Sequence, residues 1–291
     1  PDRSTIVSDE LHFPTDLYVA QGCIRLLGGR HRLRRVPVAE DGVSAHLPEL
    51  QSALDEDTAL VSLSHVAFKT GYLYDMEAIT RQAHRVGALV LWDMGHSAGV
   101  VPAQLHAWGV DLAVGCTYKY LNGGPGSPAF LYVCRELQAE ALSPVWGWFG
   151  QRMPFDFALE YDPAPGVARF QAGTPPMLSL LALEPALDMV ERAGVAAIRA
   201  KSLALTSFLV DLVDAVLAPL GFSLGSPRNP ERRGSHVSIR HPDGYRICRA
   251  LIEERAVLPD FRSPDTIRLG LAPLYTSFSE VVQAVGRIRQ V

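Results

Sequence analysis

Short apolar runs that alternate with a helical pattern constrain this chain more than any other feature of it. Residues 59–63 (ALVSL), 88–92 (ALVLW), 112–115 and 129–133 (AFLYV) have strand length and are bounded by turn residues. Between the first two, residues 76–86 repeat Ile79, Ala83 and Val86 on one helical face. Strand, helix, strand in that order predicts an α/β fold with a mainly parallel sheet covered by helices. Parallel strands collect their carboxyl ends at one edge, and ligands of open α/β sheets bind outside that edge. Ser64-His65, Asp93 to His96 and Thr117 to Lys119 follow the runs directly and are the first candidates for chemistry.

From about residue 178 the texture changes. Helical patterns cover 178–193 and 200–217, the second with Leu205, Leu209, Leu212 and Val216 at helical spacing. Short strands at 235–240 and 266–269 flank a helix around 246–254. Ser277 and Glu280, in capping-box spacing, open a terminal helix from residue 278. These patterns predict a large domain over residues 1–185 and a smaller α/β domain over 186–291.

Composition narrows the classes. Apolar residues make up 48% and charged residues 20%, as in a globular chain. A formal charge of −4 argues against nucleic acid or an anionic membrane surface as partner. No apolar run is read as approaching the ~18–20 residues that span a bilayer. Pro1-Asp2-Arg3-Ser4 does not read as a secretory signal. Cys23, Cys116, Cys134 and Cys248 are widely spaced, so free thiols in a reducing cytoplasm are expected, with no disulfide and no metal site.

Asp93 lies in WDMGHSAG (92–99) and Lys119 in CTYKYLNGGPGSPAF (116–130). Alone, an aspartate after a strand is a cap and a lysine at a sheet edge is a solvated charge. Together, after successive strands and 26 residues apart, they meet the demands of pyridoxal 5'-phosphate (PLP). An amine must form a Schiff base with the cofactor aldehyde. A carboxylate must keep the pyridine nitrogen protonated, so that the ring serves as an electron sink.

The stretch from residue 92 to 130 resembles the kynureninases. The resemblance continues in FPTD (13–16), GWFG (147–150), RFQAGTPP (169–176) and IRLGLAPLY (267–275), in the family's order. It implies the PLP-dependent transferase fold type I and hydrolysis of L-kynurenine to anthranilate and L-alanine in tryptophan degradation. Lys119 would carry the cofactor and Asp93 would pair with its ring nitrogen. His96 would lie near the phenolic oxygen. Phe13 would stack on the ring, within a cofactor-contacting turn completed by Pro14, Thr15 and Asp16. Ser64, Tyr118, Trp148 and Thr174 would surround the phosphate, and Tyr118 is also the candidate proton relay. Arg268 would grip the substrate α-carboxylate through its planar fork. Segments bearing Trp148 and Thr174 usually reach a neighbouring subunit's site, which implies a homodimer. The family's phosphate-cradling segment and its preceding strands lie upstream of FPTD, so the N-terminal part of the large domain is expected outside these residues.

Two rival readings remain at this point. A cysteine desulfurase or class V aminotransferase would share the fold, but a desulfurase should place a histidine before its lysine, where Tyr118 stands here. An inactive PLP-fold binding protein would have little reason to keep Lys119, Asp93 and Arg268 together. The pair Gly173-Thr174, in place of the Ser-Asn of some kynureninases, gives a ring hydroxyl no amide partner. Plain L-kynurenine is therefore expected to be preferred over its 3-hydroxy form.

Overall fold

The computed structural model describes residues 3–291. Strand β1 (Thr5–Asp9) leads through helix α1 (Pro14–Leu26) into β2 (Arg32–Val36), and a short α2 (Leu47–Ser52) precedes β3 (Thr58–Ser64). Helix α3 (Met76–Arg85), β4 (Leu89–Asp93), β5 (Leu112–Cys116) and β6 (Ala129–Val133) complete a sheet ordered β2-β1-β3-β4-β5-β6. All neighbours pair in parallel except β5 and β6.

The four expected strands are present, and two more precede them. TIVSD (β1) has only two apolar residues, and RLRRV (β2) is rich in arginine, so neither stands out by periodicity. Charged side chains suit β2 because it is an edge strand. A strand therefore does lead into the FPTD segment within these residues. Helix α3 starts where Asp75 accepts the Ala78 N–H at 2.9 Å, and it buries Met76, Ile79, Thr80 and Ala83. Trp92, Leu63, Val61 and Val90 are almost wholly buried beneath it in the first core.

Helices α4 (Met177–Ala193) and α5 (Val195–Leu212) lead to a second sheet. It comprises β7 (Ser223–Leu224), β8 (His236–Arg240), β9 (Asp260–Arg262) and β10 (Thr266–Gly270), antiparallel in the order β7-β8-β10-β9. Helix α6 (Gly244–Glu254) and helix α7 (Phe278–Ile288) pack on it. The expected capping box opens α7: Ser277 Oγ accepts the Glu280 N–H and the Glu280 carboxylate accepts the Ser277 N–H. The domain boundary expected after residue 185 falls inside α4.

One expectation needs correction. The helical stretch Val195–Leu220 runs 26 residues and is long and apolar enough, by length and composition, to cross a membrane. Here it contributes Leu205, Leu209, Val213 and Leu217 to the second core. The expected stripe instead ended in Leu212 and Val216. A wide π-type turn over Val213–Leu217 keeps an i+4 repeat on one face, so those two pack at the core's margin. All four cysteines are free thiols.

Candidate active site

The carboxyl ends of β1, β3, β4 and β5 meet at one edge of the first sheet, as parallel pairing requires. Four residues beyond β1, Phe13 stands at the N-cap of helix α1, and Pro14, Thr15 and Asp16 form its first turn. Proline fits there because the first helical N–H has no partner in any case. Phe13 remains 41% exposed and meets Phe68 edge-on, with ring centroids 5.2 Å apart. FPTD is thus a helix start that leaves an aromatic face open at the sheet edge.

Asp93 ends β4, and both its oxygens are held. Oδ1 accepts the Gly95 N–H at 2.7 Å and Oδ2 accepts the Ser64 hydroxyl at 3.0 Å. Ser64 also bonds His12 Nδ1 at 2.9 Å, and His12 Nε2 meets Ser62 Oγ at 3.2 Å. His12, absent from the sequence-derived candidates, is almost wholly buried. Burial pushes it down to about 4 against the pull of the Asp93 charge, so the ring is neutral near pH 7. Asp16 lies 3.9 Å from His12, and burial followed by the Asp93 charge pushes its carboxyl up to about 6. Ligand atoms of His12, Asp16 and Asp93 lie within 4.8 Å of one another, a spacing a cation could use. Both His12 nitrogens are already committed to serines, which argues against that use.

Lys119 sits on a turn after β5, closed by Asn122 N–H to the Lys119 carbonyl and Gly123 N–H to the Thr117 carbonyl, each 2.9 Å. Gly95 explains how the amine and Asp93 share one space. A Cβ at Gly95 would stand 3.0 Å from Asp93 Oδ1 and 3.3 Å from Lys119 Nζ. Any side chain there would fill the gap between them. The Tyr118 ring is half exposed, its centroid 5.2 Å from Lys119 Nζ.

The second sheet supplies the far wall. Arg268, on β10, reaches Phe68 O at 2.6 Å and His96 Nε2 at 3.2 Å through one terminal nitrogen. Its Nε and other terminal nitrogen fork onto Asp260 at 2.6–3.1 Å. Cross-strand register creates this pair, since Arg268 lies directly opposite Asp260 on β9. His96 is buried, and burial followed by His236, Lys119 and Arg268 holds it well below its ordinary value. An arginine can only donate, so Nε2 accepts and the neutral ring carries its proton on Nδ1. That Nδ1 is buried without a partner.

Not every expected residue joins this cluster. Trp148 lies in a short turn against Phe149 and Phe155, and Thr174 is exposed in the segment before α4. The two segments touch each other: a Cβ at Gly147 would collide with Ala172 O. Among the described residues, neither Trp148 nor Thr174 hydrogen-bonds to the Asp93–Lys119 cluster. Ser64 does join, but its hydroxyl is committed to Asp93 and His12 rather than open to a phosphate.

Residues 198–288 match the family model for the kynureninase C-terminal domain. The kynureninase of Pseudomonas fluorescens is 46% identical over 98% of this chain, which spans 66% of that relative. The kynureninase of Burkholderia mallei is 45% identical over the whole chain, which spans 68% of it. The chain belongs to the kynureninase family. Its cofactor is that of the family, pyridoxal phosphate. The chain spans about two thirds of the length of these curated relatives. Among solved structures, the cysteine desulfurase of Thermococcus onnurineus superposes with a TM-score of 0.84 over 99% of this chain and 72% of its own. At 20% identity that likeness concerns the fold alone, which is the PLP-dependent fold type I.

The residues present fit this cofactor. Gly95 keeps open the space between an amine and a carboxylate that has two donors behind it. The unpartnered His96 N–H would relieve about 1–3 kcal/mol by meeting an acceptor. A phenolic oxygen is such an acceptor.

Proposed function

We propose that this protein hydrolyses L-kynurenine to anthranilate and L-alanine with pyridoxal phosphate held on Lys119. The observation that carries the reading is the convergence of Asp93 and Lys119 on the space kept by Gly95, in a chain 45–46% identical to kynureninases. When bound, the pyridinium ring supplies an electron sink for the pair released at the substrate α-carbon. Lys119 Nζ would hold the cofactor, and the same amine would serve to take the substrate α-proton. Asp93 would face the ring nitrogen, Phe13 offers an open aromatic face to the ring, and neutral His96 would donate from Nδ1. Tyr118, beside Lys119, is the residue we assign to proton relay.

Arg268 is the residue we assign to the substrate α-carboxylate. The structure departs from the expected open fork: the fork lies on Asp260. Four of the five N–H groups already have acceptors, which leaves one terminal N–H for the carboxylate. Arg268→Lys replaces that fork with a point charge. Loss of ~1.5–3 kcal/mol of charge-assisted bonding predicts a fall of roughly ten- to a hundredfold in kcat/KM. Binding of anthranilate-like compounds, which lack the α-carboxylate, should barely change; equal losses for both ligand types would point to a folding defect. Asp260→Asn should act in the same direction and less strongly.

Exposed apolar side chains cluster in the segment that carries Trp148: Trp146, Phe155, Phe157 and Leu159. A second copy covering them would support the homodimer and bring Trp148 and Thr174 toward the partner's cofactor. The free thiols support a cytoplasmic setting. A desulfurase would need a mobile reactive cysteine, but Cys248 is buried in α6 and burial pushes its thiol up.

The test is turnover. The holoenzyme should release anthranilate and alanine in equal amounts from L-kynurenine. It should process 3-hydroxykynurenine with lower kcat/KM, since Gly173 has no side chain and Thr174 a single short hydroxyl. Release of sulfur from cysteine without kynurenine cleavage would overturn the assignment. Equal or better use of the hydroxylated substrate would overturn the reading of Gly173-Thr174.

A further inference from the structure

We propose that His12 is a positioning residue for the cofactor, acting through Ser64 to hold the Asp93 carboxylate charged and aimed at the ring nitrogen. The inference rests on the PLP reading above and concerns a residue that reading does not use.

The polarity of the network follows from what each group can do. Asp93 as a carboxylate can only accept, so the Ser64 hydroxyl donates to Oδ2 across 3.0 Å. Ser64 has then used its one hydrogen, so its lone pair accepts from His12 Nδ1–H across 2.9 Å. With the proton on Nδ1, Nε2 of the neutral ring accepts from the Ser62 hydroxyl across 3.2 Å. Three bonds run in one direction, Ser62 to His12 to Ser64 to Asp93, and end on the charge.

Both serines and the histidine are at least nine-tenths buried. In such surroundings each bond polarises the next, and a half-satisfied chain costs more than none. The sheet makes the alignment possible. Ser62 and Ser64 are two residues apart on β3 and so face the same side, where the segment after β1 lays the imidazole across them. The other charged groups near the ring are Asp16, at 3.9 Å, and Asp93 itself. Neither gives His12 a competing hydrogen bond. The direct bond to Asp93 comes from Ser64, while His12 fixes which way that hydroxyl points.

His12→Leu removes the donor to Ser64 and lets its hydroxyl rotate. His12→Asn keeps an amide N–H at nearly the position of Nδ1. Both variants, with Ser64→Ala and the double variant His12→Leu/Ser64→Ala, are reconstituted with pyridoxal phosphate. The readouts are cofactor Kd and the pH midpoint of the holoenzyme's visible absorbance band. Neither needs kynurenine turnover, so failure of the substrate assignment and failure of this inference stay separate. His12→Leu should weaken cofactor binding about tenfold and move the midpoint, and His12→Asn should restore most of both. The double variant should match Ser64→Ala alone, because His12 acts only through Ser64. Unchanged Kd and midpoint in His12→Leu, or additive losses in the double variant, overturn the proposal. If His12→Leu does not fold, His12→Asn and Ser64→Ala decide it. The first must then behave as wild type and the second must show the shift; any other pattern overturns it.

Discussion

Lys119→Ala should abolish kynurenine cleavage, by on the order of 10³-fold or more, while leaving the fold intact. The expected loss is large because the amine both holds the cofactor and moves the α-proton, so one substitution removes two roles. The expected stability cost is small. Lys119 is half-buried on a backbone-closed turn, and its side chain makes no hydrogen bond or ion pair among the described residues. Removing such a group usually changes stability by less than about 0.5 kcal/mol. The chemical test is clean because the chain has three lysines, Lys69, Lys119 and Lys201. Lys69 is tied to the Ser263 carbonyl and Lys201 lies on α5, away from the sheet edge. Borohydride reduction of the holoenzyme followed by peptide mapping should place the pyridoxyl group on Lys119. Label on either other lysine would remove the basis of the assignment.

Asp93→Asn should lower kcat by about a hundredfold or more, with cofactor still bound but less tightly. The substitution keeps the shape and a hydrogen-bonding oxygen for Ser64, so β4 and its neighbours should be undisturbed. What disappears is the negative charge opposite the ring nitrogen. A charge-assisted bond contributes about 1.5–3 kcal/mol, and each 1.36 kcal/mol is tenfold in rate. Weaker protonation of the ring also weakens the electron sink on which the α-proton step depends. Asp16 supplies an independent readout. Part of its rise to about 6 comes from the Asp93 charge, so its midpoint should fall in Asp93→Asn. Near-normal turnover with an unshifted Asp16 would mean that Asp93 merely terminates its strand.

The sheet's core and its reactive edge were legible from local pattern. Apolar runs at 59–63, 88–92, 112–115 and 129–133 became β3 to β6, because a strand that buries a face against the core needs apolar side chains wherever it lies. The same logic carried the chemistry, since residues directly after parallel strands must share an edge. Asp93 and Lys119 are thus paired by sequence alone. The Ser277–Glu280 cap was equally visible, because its partners are three residues apart.

Tertiary structure decided what depends on distant neighbours. β1 is too polar and β2 too charged to stand out; β1 is a strand because β3 offers it an edge, and β2 because β1 does. Asp260 looks like one acid among many until β9 pairs with β10 and sets it opposite Arg268. Trp148 and Thr174 carry family motifs, yet their segments pack on each other rather than on Lys119. His12 was invisible for the same reason. Its serine partners are 50 and 52 residues away, and nothing local distinguishes a histidine before FPTD from a surface one. Periodicity records which face a residue must bury. Which buried polar group meets it there is set by register between strands, and register is a property of the folded sheet.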